Sequence, residues 1–180
     1  MVNPGSPDVL VGMPGSSDFE EFYAASYGRV VALVATMVGD RHQAEDIAQE
    51  AFARALVRWH RVARYDVPEA WVRRVAMRLA VDAGRRAARA LRIVRLLRAS
   101  GPGAGSGGDP SDWPALNLAL LKVPIRQRQA LVLYYLADLP VDVIARECGV
   151  PERTVRSRLA AGRRRLESEL REYPEGAHHA

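Results

Sequence analysis

Residues 141–166 read VDVIARECGVPERTVRSRLAAGRRRL, and this stretch has the spacing of a helix-turn-helix. Ala145 is a small side chain at the point where the first helix must approach the second. Gly149 follows four residues later, where the turn requires a positive φ. Val155, six residues further on, is expected to pack the second helix against the first. The rest of this small predicted core consists of Ile144, Val150 and Leu159.

The second helix of this motif is predicted to present a polar and basic face to solvent. At about 100° per residue, its apolar side comprises Val155, Leu159, Gly162 and Leu166. The opposite side comprises Arg153, Ser157, Ala160 and Arg164, with Thr154 and Arg156 on its flanks. Arginine and hydroxyl side chains donate to phosphates and base edges, which favours a helix that enters the DNA major groove. A plain helical hairpin with a basic surface is the alternative.

The chain preceding this motif contains a segment with the composition of a flexible linker. Residues 100–112 read SGPGAGSGGDPSD, with five glycines, two prolines and no large apolar side chain. The linker predicts two helical domains, at 18–99 and 113–172, with a disordered tail at 1–17 and a second tail at 173–180. No strand pattern competes with the helical spacing, so the predicted fold is all-α, with two small helical domains.

The first predicted domain reads as helices throughout. A capping-box pattern begins at Asp18, Gly39 supplies a helix stop, and Asp40 restarts a second helix. Pro68 is suited to the start of a third helix. Gly84 lies inside that third helix and costs about 1 kcal/mol relative to alanine, so a bend or break is expected near it.

The formal charge of +5 is unevenly distributed along the 180 residues. Residues 1–50 contain eight acidic and two basic side chains, and the rest of the chain carries a net charge of +11. Lys122 is the single lysine among the 26 basic residues, an arginine bias that a GC-rich genome would also produce. A basic bulk with an acidic end predicts binding to nucleic acid and a separate face for a protein partner.

The third predicted helix carries the densest positive charge. Residues 71–100 contain nine arginines and one acid, Asp82. The predicted apolar side comprises Val72, Val75, Ala76, Leu79, Ala83, Ala90, Val94 and Leu97. The opposite side holds the basic rail, which comprises Arg74, Arg78, Arg85 and Arg92. The rail is about 27 Å long at 1.5 Å per residue. A solvated face usually mixes charges of both signs, so this rail favours a nucleic-acid partner.

The sequence argues against several classes of function. A single cysteine, Cys148, leaves no internal disulfide and fits the reducing cytoplasm, and its position predicts a packing role. No apolar run approaches the roughly 20 residues that cross a bilayer, and residues 1–17 lack the basic n-region of a signal peptide. The sequence has no glycine-rich phosphate loop, metal-ligand spacing or nucleophile with an evident base. We therefore predict a cytoplasmic protein that is not an enzyme, with no catalytic residue, metal or cofactor.

Two separated sets of residues resemble a known family. Residues 18–59, DFEEFYAASYGRVVALVATMVGDRHQAEDIAQEAFARALVRW, followed by 69–82, EAWVRRVAMRLAVD, resemble region 2 of the sigma-70 family of bacterial RNA polymerase sigma factors. Residues 120–159, LLKVPIRQRQALVLYYLADLPVDVIARECGVPERTVRSRL, resemble region 4. The pattern is that of the extracytoplasmic-function (ECF) group, and is similar to its actinobacterial SigE-like members.

The resemblance implies a promoter-specificity subunit that binds core RNA polymerase, recognises the −35 element and melts the −10 element. Its implied −35 contacts are Arg153, Thr154, Arg156, Ser157, Arg158, Arg163 and Arg164. Its implied −10 contacts are Tyr65, Trp71, Arg74, Arg78 and Arg85, although core packing is the alternative for Trp71. Docking to the β′ clamp helices is assigned to Asp46, Gln49 and Glu50. The β flap, promoter DNA and an anti-sigma factor are the other partners that the resemblance implies, with no membrane partner.

The sequence departs from the family pattern at several of these positions. Arg78 stands where many ECF members have an asparagine, which replaces a base-reading amide with a charged donor. Ala160 and Ala161 stand where other members often carry an aromatic residue and an arginine. Two other functions compete with a sigma factor: a stand-alone helix-turn-helix regulator with a helical effector domain, and a peripheral membrane protein built on the amphipathic residues 71–98.

Overall fold

The computed structural model describes residues 16–97 and 115–172, and every regular element in them is helical. The N-terminal domain comprises α1 (Ser16–Val38), α2 (Arg41–Val57), α3 (Trp59–Val62) and α4 (Pro68–Leu97). The C-terminal domain comprises α5 (Ala115–Lys122), α6 (Ile125–Leu131), a π-helical turn (Val132–Leu136), α7 (Val141–Cys148) and α8 (Glu152–Arg171). No strand occurs in these two ranges, and the predicted all-α fold is confirmed.

The start of α1 differs from the prediction. The helix begins at Ser16, inside the predicted tail, and Asp18 lies in its first turn rather than at an N-cap. An acidic side chain in a first turn is favourable because it faces the positive end of the helix dipole. The predicted linker at 100–112, the tail at 173–180 and the remainder of the first tail lie outside the described residues.

The junction between α1 and α2 is as predicted. Gly39 has a φ of 75°, and its N–H donates to the carbonyl of Ala35 at 2.8 Å. Asp40 then caps α2, because its carboxylate accepts a hydrogen bond of 2.9 Å from the N–H of Gln43. A positive φ followed by an N-cap lets two helices meet with only two residues, Gly39 and Asp40, between them.

An aromatic cluster fills the space between α1, α2 and α3. Phe52 is almost fully buried, and the ring of Tyr23 lies 4.9 Å from it, centroid to centroid. Trp59 stacks on Phe22 at 4.9 Å and meets Phe19 edge-on at 5.2 Å. Such contacts add about 0.5–1.5 kcal/mol per pair to the burial of the rings. Trp59 is therefore a packing residue.

The buried face of α4 is rotated from the predicted one. Its buried apolar side chains are Val72, Ala76, Met77, Ala80 and Val81. Of the predicted stripe, Val75, Leu79 and Ala83 are half-buried and Ala90 is exposed, while the side chains of Val94 and Leu97 are outside the description. The rotation arises because α4 packs on α1 and α2 along one side and on α6 of the other domain along another.

Gly84 does not break α4, which continues through it to Leu97. A Cβ at this position would approach Cδ1 of Ile125 to 3.1 Å. The bend or break expected from the sequence is thus wrong. The glycine is explained by the close approach of a side chain from α6.

The helix-turn-helix of the C-terminal domain is confirmed. Gly149 ends α7 with a φ of 64°. Ile144, Val155 and Leu159 are each at most 2% exposed, and Val150 is half-buried. The π-helical turn before α7 was not predicted from the sequence, and the N–H of Ala137 donates to the carbonyl of Val132 in it at 3.1 Å. This π-helical turn continues from α6 and ends before α7, the first helix of the helix-turn-helix.

The N-cap of α2 allows a test of how the first domain is held together. We expect Asp40→Ala to lower the free energy of unfolding by about 1 kcal/mol, because the N–H of Gln43 would lose its acceptor. Urea denaturation followed by circular dichroism measures the change. Asp46→Ala, an exposed acidic position on the same helix, is the matched control. An equal loss in both variants would contradict the capping role.

Candidate nucleic-acid interface

The outward face of α8 carries most of the predicted −35 contacts. The exposed residues on it are Arg153, Arg156, Ser157, Arg163 and Arg164. The opposite side is fixed in the domain, because Val155 and Leu159 are buried and a Cβ at Gly162 would lie 3.1 Å from Leu131. The packing of one side therefore determines which side chains face outward. We call these five residues the recognition face.

Two of the predicted −35 residues are less accessible than the rest. Thr154 and Arg158 are half-buried. The positive charge of Arg158 lies near Arg126, whose pKa is lowered by burial first and then by the neighbouring Arg85 and Arg158. Arg158 thus faces the junction with α6 and the N-terminal domain more than open solvent. Helical spacing alone did not predict this, because Arg158 lies at the edge of the apolar stripe and its burial depends on the other domain.

Arg156 is held by an ion pair within α8. Its guanidinium lies 2.5 Å from the carboxylate of Glu152, and the side chains are 64% and 45% exposed. An exposed pair one turn apart is worth only a few tenths of a kcal/mol. A phosphate or a base edge can therefore replace Glu152 at little cost.

The basic rail lies on the exposed side of α4. Arg74, Arg78, Arg85 and Arg92 are all exposed, as predicted. Tyr65, in the turn before α4, is 49% exposed, whereas Trp71 is half-buried against the core of its domain. The structure thus places an accessible aromatic ring near the beginning of the helix that carries the rail. Trp71 combines core packing with a partly accessible edge.

The neighbour of Arg74 has a different environment. Arg73 is buried, and its guanidinium forms an ion pair with Glu147 of α7. A period of 3.6 residues places position 73 between the apolar side predicted from the sequence and the basic rail, and an arginine there is ordinarily solvated. Nothing within the N-terminal domain's own sequence indicates that Arg73 leaves the solvent.

The three predicted docking residues share the exposed side of α2. Asp46, Gln49 and Glu50 are exposed, and Glu50 accepts a hydrogen bond of 2.7 Å from Arg54. The opposite side of the helix comprises the buried residues Ala44, Ala48, Ala51, Phe52 and Ala55. We call the three polar residues the docking face.

Large apolar side chains are exposed at two further places among the described residues. Leu56 and Val57, at the end of α2, are 38% and 76% exposed. Helical spacing from Asp40 onward predicts an apolar stripe from Ala44 to Trp59 that includes Leu56, and the exposure of Leu56 corrects that prediction. Tyr135 and Leu136, in the π-helical turn, are also about half exposed. Val57 lies on the side of α2 opposite the buried stripe, which was the available sequence signal. Tyr135 and Leu136 belong to the continuous apolar run 130–136, whose spacing does not separate buried from exposed residues.

The thiol, the possible metal ligands and the hydrophobicity of the helices also bear on the sequence predictions. Burial raises the pKa of the Cys148 thiol, so it is largely protonated at neutral pH. Among residues 16–97 and 115–172, no group of three or more metal-ligating side chains lies together. None of the helices in these ranges has the length and hydrophobicity needed to cross a membrane.

Comparison with protein families identifies both halves of the chain. The model for Sigma-70 region 2 matches residues 22–90, and the model for Sigma-70, region 4 matches residues 115–166. The chain therefore belongs to the sigma-70 family. Within that family it is an ECF sigma factor, as its relatives indicate. It is a promoter-recognising sigma subunit of RNA polymerase.

Curated relatives align along most of the chain. The ECF sigma factor SigW of Bacillus subtilis is 30% identical over 164 residues, which cover 80% of this chain and 84% of SigW. SigE of Mycolicibacterium smegmatis is 31% identical, covering 84% of this chain and 61% of SigE, and accords with the predicted SigE-like resemblance. RfaY of Xanthomonas campestris, a probable RNA polymerase sigma factor, is 31% identical over 81% of this chain and 40% of its own length.

A solved structure shares the fold. The sigma factor RpoE of Bartonella quintana, in complex with the anti-sigma factor NepR, matches with a TM-score of 0.67 and 19% identity. The match covers 86% of this chain and 98% of that chain. A stand-alone helix-turn-helix regulator would not explain the match of residues 22–90 to the region 2 family model. A peripheral membrane protein would explain neither that match nor the match of residues 115–166 to region 4.

The basic rail generates a prediction on salt dependence. The logarithm of the DNA-binding constant falls linearly with the logarithm of the salt concentration. Arg78→Ala and Arg85→Ala should each make this negative slope shallower by about 1, because each removes one phosphate contact. Binding of the holoenzyme to a promoter fragment, titrated at several salt concentrations, measures this slope. Arg41→Ala, which removes an exposed arginine from α2, is the control. Unchanged slopes in the two rail variants would show that the rail does not contact DNA.

Proposed function

We propose that this sigma factor divides promoter recognition and polymerase binding among three surfaces. The recognition face binds the −35 element, the basic rail with Tyr65 and Trp71 binds and melts the −10 element, and the docking face binds the β′ clamp helices. The supporting observation is the separation of charge. Exposed arginines concentrate on α4 and α8, whereas α2 presents the acids Asp46 and Glu50, with Arg54 paired to Glu50.

The dimensions of α8 suit a major groove about 12 Å wide. Arg153, Arg156 and Ser157 are exposed within the first two turns of the helix, the part that meets base edges in helix-turn-helix proteins. Arginine donates two hydrogen bonds to guanine, worth about 1–3 kcal/mol of discrimination. Arg163 and Arg164 lie two turns further on, where backbone phosphates become the nearer partners.

The −10 surface combines positive charge with an aromatic ring. Melting requires a base to leave the stack and a basic groove to hold the separated strand. Tyr65 supplies an exposed ring on which a base can stack, and Arg74, Arg78 and Arg85 supply donors for the strand. Since Arg78 replaces the asparagine of many ECF members, we expect its contact to be charged rather than amide-mediated.

The docking surface combines polar groups with apolar area. Asp46, Gln49 and Glu50 would orient the polymerase, while the adjoining Leu56 and Val57 would supply apolar contact area. Tyr135 and Leu136 give region 4 an equivalent exposed patch, which we assign to the β flap. We also propose that the protein acts in the cytoplasm without catalytic activity of its own.

An anti-sigma factor is a further proposed partner. The RpoE structure, with the same fold, contains the anti-sigma factor NepR. Both surfaces proposed to bind DNA are exposed here, so a regulatory protein could cover them.

Run-off transcription with purified core polymerase on genomic promoter fragments tests the proposed function. We expect transcripts that depend on this chain and begin at defined positions. The bound fragments, once sequenced, should share two elements at a constant spacing. If no fragment yields a transcript that depends on this chain, the proposal fails.

Substitution of the recognition face should affect one promoter element. We expect Arg156→Ala to reduce transcription from −35-dependent promoters about tenfold, which corresponds to the loss of one base contact. Binding to core polymerase, measured by pull-down, should be unchanged. Arg171→Ala removes an exposed arginine from the distal end of the same helix and serves as control. An equal loss of core binding would contradict the assignment of Arg156 to DNA.

Substitution of the docking face should have the converse effect. We expect Glu50→Lys to weaken binding to core polymerase by roughly tenfold or more, because a like charge would face the partner. Pull-down at two salt concentrations measures the loss. Glu20→Lys, an exposed acid on α1, is the matched control. Equal binding by the two variants would remove Glu50 from the docking face.

A further inference from the structure

The two domains are joined by a buried ion pair that neither domain would form alone. In it, Nε and a terminal nitrogen of Arg73 on α4 donate to the carboxylate of Glu147 on α7, at 3.2 and 2.5 Å. The two side chains are only 10% and 3% exposed. A bidentate arginine–carboxylate pair fixes both distance and orientation, so it specifies how α4 and α7 sit together.

A second buried arginine also joins the domains, but here the donor belongs to the C-terminal domain and the acceptor to the N-terminal domain. Arg128 of α6 donates to the carbonyl of Met37 at the end of α1 at 2.5 Å. It also donates to two carbonyls of its own domain, those of Leu121 and Val123. Burial lowers the pKa of Arg128 to about 10, so the guanidinium is still charged at neutral pH. A positive charge at the carboxyl end of α1 is favourable to the helix dipole.

Apolar side chains complete the junction at two glycines. A Cβ at Gly39 would lie 2.5 Å from a methyl carbon of Leu121, which is shorter than any ordinary contact between two carbon atoms. Because Gly39 has no side chain, Leu121 can pack directly against the backbone there. Ile125 is seated on Gly84 in the same way. Both glycines belong to the N-terminal domain and both apolar residues to the C-terminal domain, so the two surfaces are complementary in shape.

We propose that Arg73, Glu147 and Arg128 form an interdomain latch that holds the free sigma factor closed and unable to engage a promoter. The proposal rests on the assignment of the −10 and −35 surfaces to different domains. In the closed arrangement the two surfaces are held in one compact body. Binding to core polymerase must release the latch before both promoter elements can be bound.

The spacing of the promoter elements requires this opening. Elements centred at −10 and −35 lie 25 base pairs apart, roughly 85 Å at 3.4 Å per pair. A compact chain of this length has a radius of gyration of about 16 Å, and is therefore about 40 Å across. Residues 98–114 connect the two described parts, and a chain of that length reaches at most about 60 Å. The domains can therefore separate far enough without unfolding.

A buried ion pair is suited to a reversible latch. The cost of removing both charges from water offsets most of their attraction, so the pair adds little net stability to the closed form. Burial first, and then the positive charge of Arg85 from the other domain, lowers the pKa of Arg126, so repulsion between like charges opposes closure. A partner with a larger interface can therefore shift the equilibrium to the open form.

Charge reversal at the latch provides the test. We expect Glu147→Arg to open the free, full-length chain, since it would place two guanidinium groups together. Its radius of gyration, measured by small-angle X-ray scattering, should rise from near 16 Å to above about 20 Å. The double variant Arg73→Glu with Glu147→Arg restores opposite charges and should return the chain to the compact value. Arg146→Glu, at an exposed neighbouring position, is the control and should stay compact.

Core-polymerase binding gives the second measurement. In the wild-type chain, only the open fraction of molecules can bind core polymerase, and this raises the apparent Kd. The open variant should therefore bind with an apparent Kd at least about threefold lower. Like Glu147→Arg, Glu147→Gln should raise the radius of gyration and lower the apparent Kd. Circular dichroism identifies any variant that fails to fold. A wild-type chain as extended as Glu147→Arg, or a double variant that stays open, would overturn the latch. A latch that responds as expected without any promoter-dependent transcription would instead overturn the proposed function alone.

Discussion

The carboxyl end of α1 is the point at which the packing of both domains meets. Met37 is fully buried there, Gly39 reverses the backbone, and Asp40 caps α2 within three residues. The same few residues receive Leu121 and the guanidinium of Arg128 from the C-terminal domain. The N-terminal domain therefore cannot build its own helix junction without also shaping the surface on which the other domain rests.

The features that sequence reasoning predicted are those determined by local geometry. Gly149 occupies a position that demands a positive φ, and Val155 and Leu159 follow the helical period into the core. The exposed basic rail was predicted for the same reason, because an amphipathic helix divides its surface by angle, whereas the docking face was inferred from the family resemblance. Local patterns of this kind are independent of what the other domain does.

The features it missed depend on contacts between distant parts of the chain. The burial of Arg73 and Arg128 was not predicted, because a buried arginine needs partners that only the assembled domains provide. The buried face of α4 was misplaced since that helix packs on two sides, and Ala90 is exposed because it lies beyond the packed part of the helix. Arg158 and Leu56 differ from expectation because exposure near a junction or a helix end depends on neighbours that helical spacing does not describe.

Gly84 illustrates how one residue is placed under two opposing demands. Alanine there would favour the helical state of α4 by about 1 kcal/mol. Its methyl group would also press on Ile125, which must give way by a few tenths of an ångström for the domains to stay together. The helix thus gives up intrinsic stability at the residue where the other domain comes closest. If the proposed latch operates, a substitution that makes the isolated domain more stable would make the sigma factor easier to open, so stability and regulation would not change together.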